Sequence, residues 1–124
     1  MRVRDREDGK GSELRERVFE FACAVVDLHR SIYHSEPALR GTSAQGSNAA
    51  SSVGANLEEA DAAQSRADFI SKCTIALKEA REARYWLRIL NRSLSEQHKK
   101  IEPLIEESSE LIAILTTIVR RSRN

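Results

Sequence analysis

The stretch Ser51–Phe69, SSVGANLEEADAAQSRADF, decides how this chain folds. It is rich in serine, glycine and alanine, and its only large apolar residues are Val53, Leu57 and Phe69. Small side chains let two helix axes approach closely, so the facing helices must supply the volume of the core. We expect that volume from four aromatic residues, namely Phe19, Phe21, Phe69 and Trp86.

Two capping boxes mark the N-terminal starts of helices around this stretch. Ser65-Arg66-Ala67-Asp68 pairs a serine with an acid three residues later and predicts a helix that continues to about Asn91. Thr42-Ser43-Ala44-Gln45 has the same form and predicts a preceding helix from about Ser43 to about Gln64. The small-residue stretch therefore lies in the second helix and leads into the third.

The remaining segments show helical periodicity. Apolar residues recur every three or four positions from Ser12 to a break near Pro37. A last helix is predicted to begin between Glu96 and Pro103, with Pro103 in its first turn. The apolar stripes of these two helices comprise Leu14, Val18, Phe21, Val25, Leu28 and Ile32, and Ile101, Leu104, Ile105, Ser108, Leu111, Ile112, Leu115 and Val119.

Four amphipathic helices with short connections predict an all-α, antiparallel up-down-up-down four-helix bundle. We expect one bundle domain over residues 12–122 and a flexible, charged arm over residues 1–11.

The composition excludes several functions. With 20 basic and 19 acidic residues the net charge is +1, which gives no overall attraction to nucleic acid or acidic lipid. Cys23 and Cys73 stand outside any metal-binding or disulfide spacing, so a reducing, cytoplasmic location is predicted. No secretory signal and no membrane-spanning run is visible, so we expect no membrane partner.

The order and spacing of several motifs resemble one protein family. The motifs are Gln45, then Ser52-Val53-Gly54-Ala55-Asn56-Leu57-Glu58-Glu59-Ala60, Ser65-x-x-Asp68-Phe69, Ala76-Leu77-Lys78-Glu79-Ala80-Arg81-Glu82 and Tyr85-Trp86-Leu87. Together they are similar to the 23S rRNA intervening-sequence family over about residues 13–120. The chain departs from the family pattern at Gly46-Ser47-Asn48, where a basic residue is frequent, and at Ala60, where glycine is frequent.

The resemblance implies an antiparallel four-helix bundle that assembles as a ring-shaped homopentamer. Members are encoded inside rRNA intervening sequences or as free-standing bacterial genes, and a relative that assists diversity-generating retroelements is thought to bind nucleic acid. The resemblance also highlights a polar set comprising Asn56, Glu59, Asp68 and Glu82. An interhelical network and a ligand site are both compatible with this set.

Two further faces of the third helix stand beside its core face. Ile75, Tyr85, Trp86 and Ile89 are apolar or aromatic away from the core, and they indicate either a broad core or a subunit interface. Arg81, Arg84, Arg88 and Arg92 form a basic stripe. Its guanidinium groups suit phosphates in RNA or DNA, and equally a solvated face paired with acids.

No catalytic, cofactor or metal motif is present in the sequence. The three histidines never follow a glutamate by three residues, as a bundle metal site requires. We therefore predict a non-enzymatic protein with no cofactor and no small-molecule substrate. The leading hypothesis is a homo-oligomeric interaction or scaffold protein, and the alternative is an RNA- or DNA-binding protein that uses arginines concentrated by symmetry.

Overall fold

Four long helices make up the fold in the computed structural model, which describes residues 8–124. They are α1 (Asp8–Ser35), α2 (Arg40–Asp61), α3 (Arg66–Ser93) and α4 (His98–Arg123). Short 3-10 turns over Pro37–Leu39 and Ser95–Gln97 lie in the first and third connections. The predicted all-α four-helix bundle is confirmed.

Contacts between helices show that each helix runs opposite to the next. Arg15, near the start of α1, pairs with Asp61 at the end of α2 at 3.0 Å. His29, near the end of α1, lies 2.6 Å from Ser43 at the start of α2. The other neighbouring helices also meet start to end. Lys72, near the start of α3, pairs with Glu59 near the end of α2, and Arg66, at the start of α3, bonds to Ser122 near the end of α4.

The core lies where the predicted apolar stripes meet. On α1, Val18, Phe21, Val25, Leu28 and Ile32 are buried as predicted. On α4 the buried members of the stripe are Ile101, Ser108, Leu111, Leu115 and Val119. Phe19 is a correction, because its side chain is 56% exposed instead of filling the core. It follows Val18 by one residue, and one step turns a helix by about 100° away from the buried face.

The small residues of α2 form its contact with α3. Gly46, Ala49, Ala50, Val53 and Ala60 are all buried. A Cβ placed on Gly46 would lie 3.3 Å from Cβ of Trp86, so the backbones of the two helices are close at this point. Gly46 therefore allows the close approach of α2 and α3, and Trp86 contributes part of the volume that α2 lacks.

Two of the predicted helix starts need correction. α1 begins at Asp8 instead of Ser12, so residues 8–11 of the predicted arm are helical, while residues 1–7 of that arm lie outside the described residues. α2 begins at Arg40 instead of Ser43, because the 3-10 turn after Pro37 runs straight into it without a side-chain cap. Apolar periodicity reports only the part of a helix that touches the core, so it misses the first turn of α1. The capping box predicted at Thr42 does not mark the start of α2, because Thr42 already lies inside the helix.

Pro103 is the sixth residue of α4 and lies inside the helix, not in its first turn. Proline removes the amide that would bond to the carbonyl of Lys99. Both Pro103 and Lys99 are exposed, so water can satisfy that carbonyl. The predicted cap of α3 is confirmed, since the Ser65 hydroxyl accepts a 3.0 Å hydrogen bond from the amide of Asp68.

Candidate functional site

The outward surface of α3 carries the apolar side chains that the sequence singled out. Tyr85 is 55% exposed and Ile75 is 36% exposed. Trp86 and Ile89 are half-buried. Because Trp86 packs against the core while its neighbour Tyr85 faces solvent, the apolar surface continues from the α2–α3 contact to the outside of the bundle.

Trp86 is held in place by three contacts. Its ring meets Tyr85 edge-to-face with 5.4 Å between ring centroids. Its indole Nε1 donates a 3.2 Å hydrogen bond to Glu82, one helical turn earlier. Its Cβ lies over Gly46. The aromatic pair is therefore a fixed feature of the surface, and its indole N–H is satisfied within the chain.

Two acids accompany this surface. Partial burial raises the pKa of Glu79, and the nearby negative charge of Glu82 raises it further. Glu79 is half-buried on the same side of α3 as Trp86. The carboxylates of Glu79 and Glu82 therefore place negative charge beside the apolar surface of α3.

The basic stripe is exposed over most of its length. Arg81, Arg88 and Arg92 are exposed, and none makes an ion pair within 4 Å among the side chains of residues 11–124. Arg84 is half-buried, and its Nε donates a 2.8 Å hydrogen bond to Ser109 on α4. The pairing of Arg81 or Arg84 with a glutamate of a neighbouring helix, which the sequence left open, is therefore not made within the described part of the chain.

The four polar residues highlighted by the family resemblance do not form one network. Asn56 is half-buried and donates to the carbonyl and hydroxyl oxygens of Ser52, at 2.9 and 3.2 Å. Glu59 is exposed and pairs with Lys72 of α3 at 3.0 Å, a contact that raises the pKa of Lys72. The other two residues make their contacts at or within α3. The amide of Asp68 donates to Ser65 in the capped first turn, and the carboxylate of Glu82 accepts a hydrogen bond from Trp86. Only Glu59 therefore links two helices.

A surface that sequence reasoning missed lies between α1 and α2. The exposed ring of Phe19 borders a groove of about 390 Å³. Small residues form part of its walls, including Ala22, Ser51, Gly54 and Ala55, and the charged side chains of Arg15, Asp27 and Glu58 also line it. Phe19 was assigned to the core because aromatic residues were expected to supply the volume that the small-residue helix lacks. The signal that could have found this surface is the position of Phe19 beside Val18, outside the three- and four-residue repeat.

The chemistry of the candidate catalytic groups is unreactive. Burial raises the pKa of the Cys73 thiol to about 11, so it stays protonated and is a poor nucleophile. Across the described residues, no group of three or more His, Cys, Asp and Glu side chains is placed to hold a metal ion.

The sequence profile of the 23S rRNA-intervening sequence proteins matches residues 10–117 of this chain. The chain belongs to the 23S rRNA-intervening sequence protein family. The match spans the greater part of the four-helix region, so the family resemblance drawn from the motifs is confirmed.

A solved relative supports the same assignment. It is a Bacteroides thetaiotaomicron protein of the S23 ribosomal protein family, with unknown function, whose crystal structure was determined at 1.70 Å. It is 38% identical, the alignment covers 86% of this chain and 97% of the relative, and the TM-score is 0.78. No curated protein is significantly similar to this chain.

These comparisons establish the family and the fold. Nothing in the descriptions of the family or of the relative indicates catalysis. In the part of the chain that the structure describes, no helix combines the length and apolar character needed to cross a membrane.

Proposed function

We propose that this member of the 23S rRNA-intervening sequence protein family is a cytosolic, non-catalytic scaffold that works as a homo-oligomer, with a pentamer as the expected size from the family resemblance. The observation that carries the proposal is the exposed aromatic and apolar surface of α3. Tyrosine and tryptophan are enriched at protein interfaces because they bury a large apolar area and keep a polar handle.

A ring needs two different surfaces on each copy. In a head-to-tail ring, one surface of a protomer contacts a different surface of the next, and the rotation closes. The α3 surface around Tyr85 supplies the first. The groove beside Phe19 is a good candidate for the second, because small residues line it and leave room for a large side chain from another copy.

The first test is the mass of the protein in solution. Light scattering on a size-exclusion column at micromolar concentration should give about five times 14.0 kDa. Tyr85→Glu and Phe19→Glu should each lower that mass, because a carboxylate buried against an apolar partner surface is costly. Tyr33→Glu is the matched control, since Tyr33 is also exposed but lies on neither surface. A wild-type monomer would refute the proposal.

Mixing the two variants tests the head-to-tail arrangement. Each variant keeps one intact surface, so a mixture of Tyr85→Glu and Phe19→Glu should form a dimer through the two intact surfaces. Neither variant alone should do so. If the α3 surface instead pairs with itself, mixing restores nothing, and the assignment of the Phe19 groove as its partner is wrong.

A second candidate function is binding of RNA or DNA. The observation that favours it is the exposure of Arg81, Arg88 and Arg92 without ion pairs to acids in the described residues. A single stripe on a nearly neutral chain would bind weakly. Five copies held in one ring would bind a long strand together, because later contacts form at high effective concentration.

The test of this function is binding of a fluorescent single-stranded RNA at several salt concentrations. Affinity should fall steeply with salt and be lost in the double variant with Arg88 and Arg92 changed to glutamate. A double variant with Arg30 and Arg120 changed to glutamate is the control, since both lie exposed on other helices. Equal losses of RNA affinity in the two double variants, or an affinity that does not change with salt concentration, would rule out the stripe as a nucleic-acid site.

A further inference from the structure

One end of the bundle holds an apolar cavity of about 530 Å³. The start of α1, the end of α2, the start of α3 and the end of α4 meet there, and all four helices contribute to its walls. The apolar lining comprises Leu14, Leu57, Phe69, Cys73, Ile114 and Ile118. Its volume lies within the range of about 300–1,000 Å³ that is usual for small-molecule sites.

The cavity is built into the core. Leu57 and Cys73 are 5% and 2% exposed, so the floor is continuous with the packed interior. The pKa of the Cys73 thiol is raised to about 11 by burial, which fits an apolar and poorly hydrated floor. A polar ligand would lose its hydration there without recovering hydrogen bonds, so the buried part of any ligand must be apolar.

Counting the side chains of residues 11–124, the mouth of the cavity carries a net positive charge. Arg15 and Asp61 both line it and neutralise each other through their 3.0 Å ion pair. Arg121 also lines it, is exposed, and pairs with no acid among the side chains of residues 11–124. Arg66 lies at the same edge, since its Nε donates to the carbonyl of Ser122 at 2.8 Å.

We propose that this cavity binds a free fatty acid, with the acyl chain among the apolar side chains and the carboxylate at Arg121. The charge of the mouth and the apolar floor together select an amphiphile with one anionic head. The cavity shares Arg15 with the groove beside Phe19 and none of its other lining residues, so variants at Arg121 and Ala113 test the cavity separately from the oligomer surfaces.

The experiment is calorimetric titration of the full-length protein with dodecanoate below its micelle concentration. Saturable binding at one site per protomer is expected, and dodecanol should bind about tenfold or more weakly because it lacks the charged head. Absence of saturable binding, or equal binding of dodecanol, would overturn the proposal.

Two variants locate the site. Arg121→Glu should weaken dodecanoate binding at least tenfold, whereas Arg120→Glu, on the next exposed position outside the cavity, should not. Ala113→Trp, at the exposed rim, should block the mouth and leave the far-UV circular dichroism unchanged. Equal affinities for the two arginine variants, or full binding by the tryptophan variant, would place the ligand elsewhere and reject this site.

Two competing occupants are distinguished in the same samples. If dodecanoate lowers the oligomer mass in light scattering, the cavity is a contact between copies, and the fatty-acid site is rejected. If the protein floats with phosphatidylglycerol vesicles but does not bind free dodecanoate, the acyl chain comes from a lipid leaflet, and the proposal is likewise wrong. Unchanged mass, no flotation and saturable binding support it.

Discussion

Replacing Gly46 and Gly54 by alanine, one at a time, tests how closely the small-residue helix α2 approaches its two neighbours. Both glycines are inside α2, and both face another helix. Alanine is favoured over glycine in a helix interior by about 1 kcal/mol. The two substitutions therefore share the same gain in helix propensity, and any difference between them comes from tertiary packing.

The distances predict opposite outcomes. The new Cβ at Gly54 would lie 3.5 Å from Cγ1 of Val18, which is ordinary van der Waals contact, so Gly54→Ala should stabilise the protein by about 0.5–1 kcal/mol. At Gly46 it would lie 3.3 Å from Cβ of Trp86. That atom is fixed to the backbone, so α2 and α3 must separate by a few tenths of an ångström. Overpacking costs about 1–3 kcal/mol, which cancels or exceeds the propensity gain.

The assay is urea unfolding followed by far-UV circular dichroism, at one fixed protein concentration because assembly affects apparent stability. Gly54→Ala should be more stable than Gly46→Ala by about 1–3 kcal/mol. Light scattering must show that both variants keep the wild-type mass. If Gly46→Ala stabilises the protein as much as Gly54→Ala does, the close approach of α2 and α3 at Trp86 is wrong.

Two other predictions concern charged groups. Arg17 on α1 bonds to Glu107 of α4 at 2.6 and 2.7 Å and to Glu110 at 2.9 Å, and these bonds raise its pKa. Arg17→Ala should cost about 1 kcal/mol in urea unfolding at low salt and less at high salt, because the pair is partly exposed. The pKa of Glu79 is raised in the folded protein, so its contribution to stability is present at acid pH and is lost as the pH rises and the carboxyl ionises. Glu79→Gln should therefore stabilise the protein by about 0.2–0.5 kcal/mol near pH 7 and have no effect near pH 3, as measured by thermal unfolding.

Each charge variant has a control. Arg30→Ala removes an exposed arginine that makes no ion pair in the described residues, and its cost should be within about 0.5 kcal/mol of zero. A loss as large as that of Arg17→Ala would show that the α1–α4 ion pair is not responsible. Glu106→Gln is the control for Glu79, and the same stabilisation in both would mean that net charge is the cause, not burial.

Much of the fold could be read from local patterns. The three- and four-residue apolar repeats located the helices and most of their buried faces, because the apolar residues of an amphipathic helix recur on the face that packs against the core. The Ser65 cap was also readable, since its hydrogen bond joins residues three apart. The starts of α1 and α2 were predicted a few residues too late, because their first turns have no apolar repeat to mark them.

The surfaces required the tertiary structure. Spacing placed the side chains of α3 on different faces, but it could not tell an exposed Tyr85 from a half-buried Trp86, because that depends on the position of α2. Asn56, Glu59, Asp68 and Glu82 were expected to form either a network or a ligand site, but the structure gives three of them contacts within their own helix and joins only Glu59 to another helix, through Lys72. The apolar cavity was invisible in the sequence, since its walls come from four helices.

The sequence by itself determined that this chain is a four-helix bundle, and the order of its motifs determined its family. The helices rest on apolar repeats and caps whose residues lie within a few turns of each other, and the family rests on the order and spacing of motifs along the whole chain. Only tertiary packing decided three features. These are the exposure of Phe19, the lack of ion pairs between the arginine stripe and acids in the described residues, and the cavity near Arg121. Each depends on which residues of distant helices come together, and one helix does not encode the position of the next.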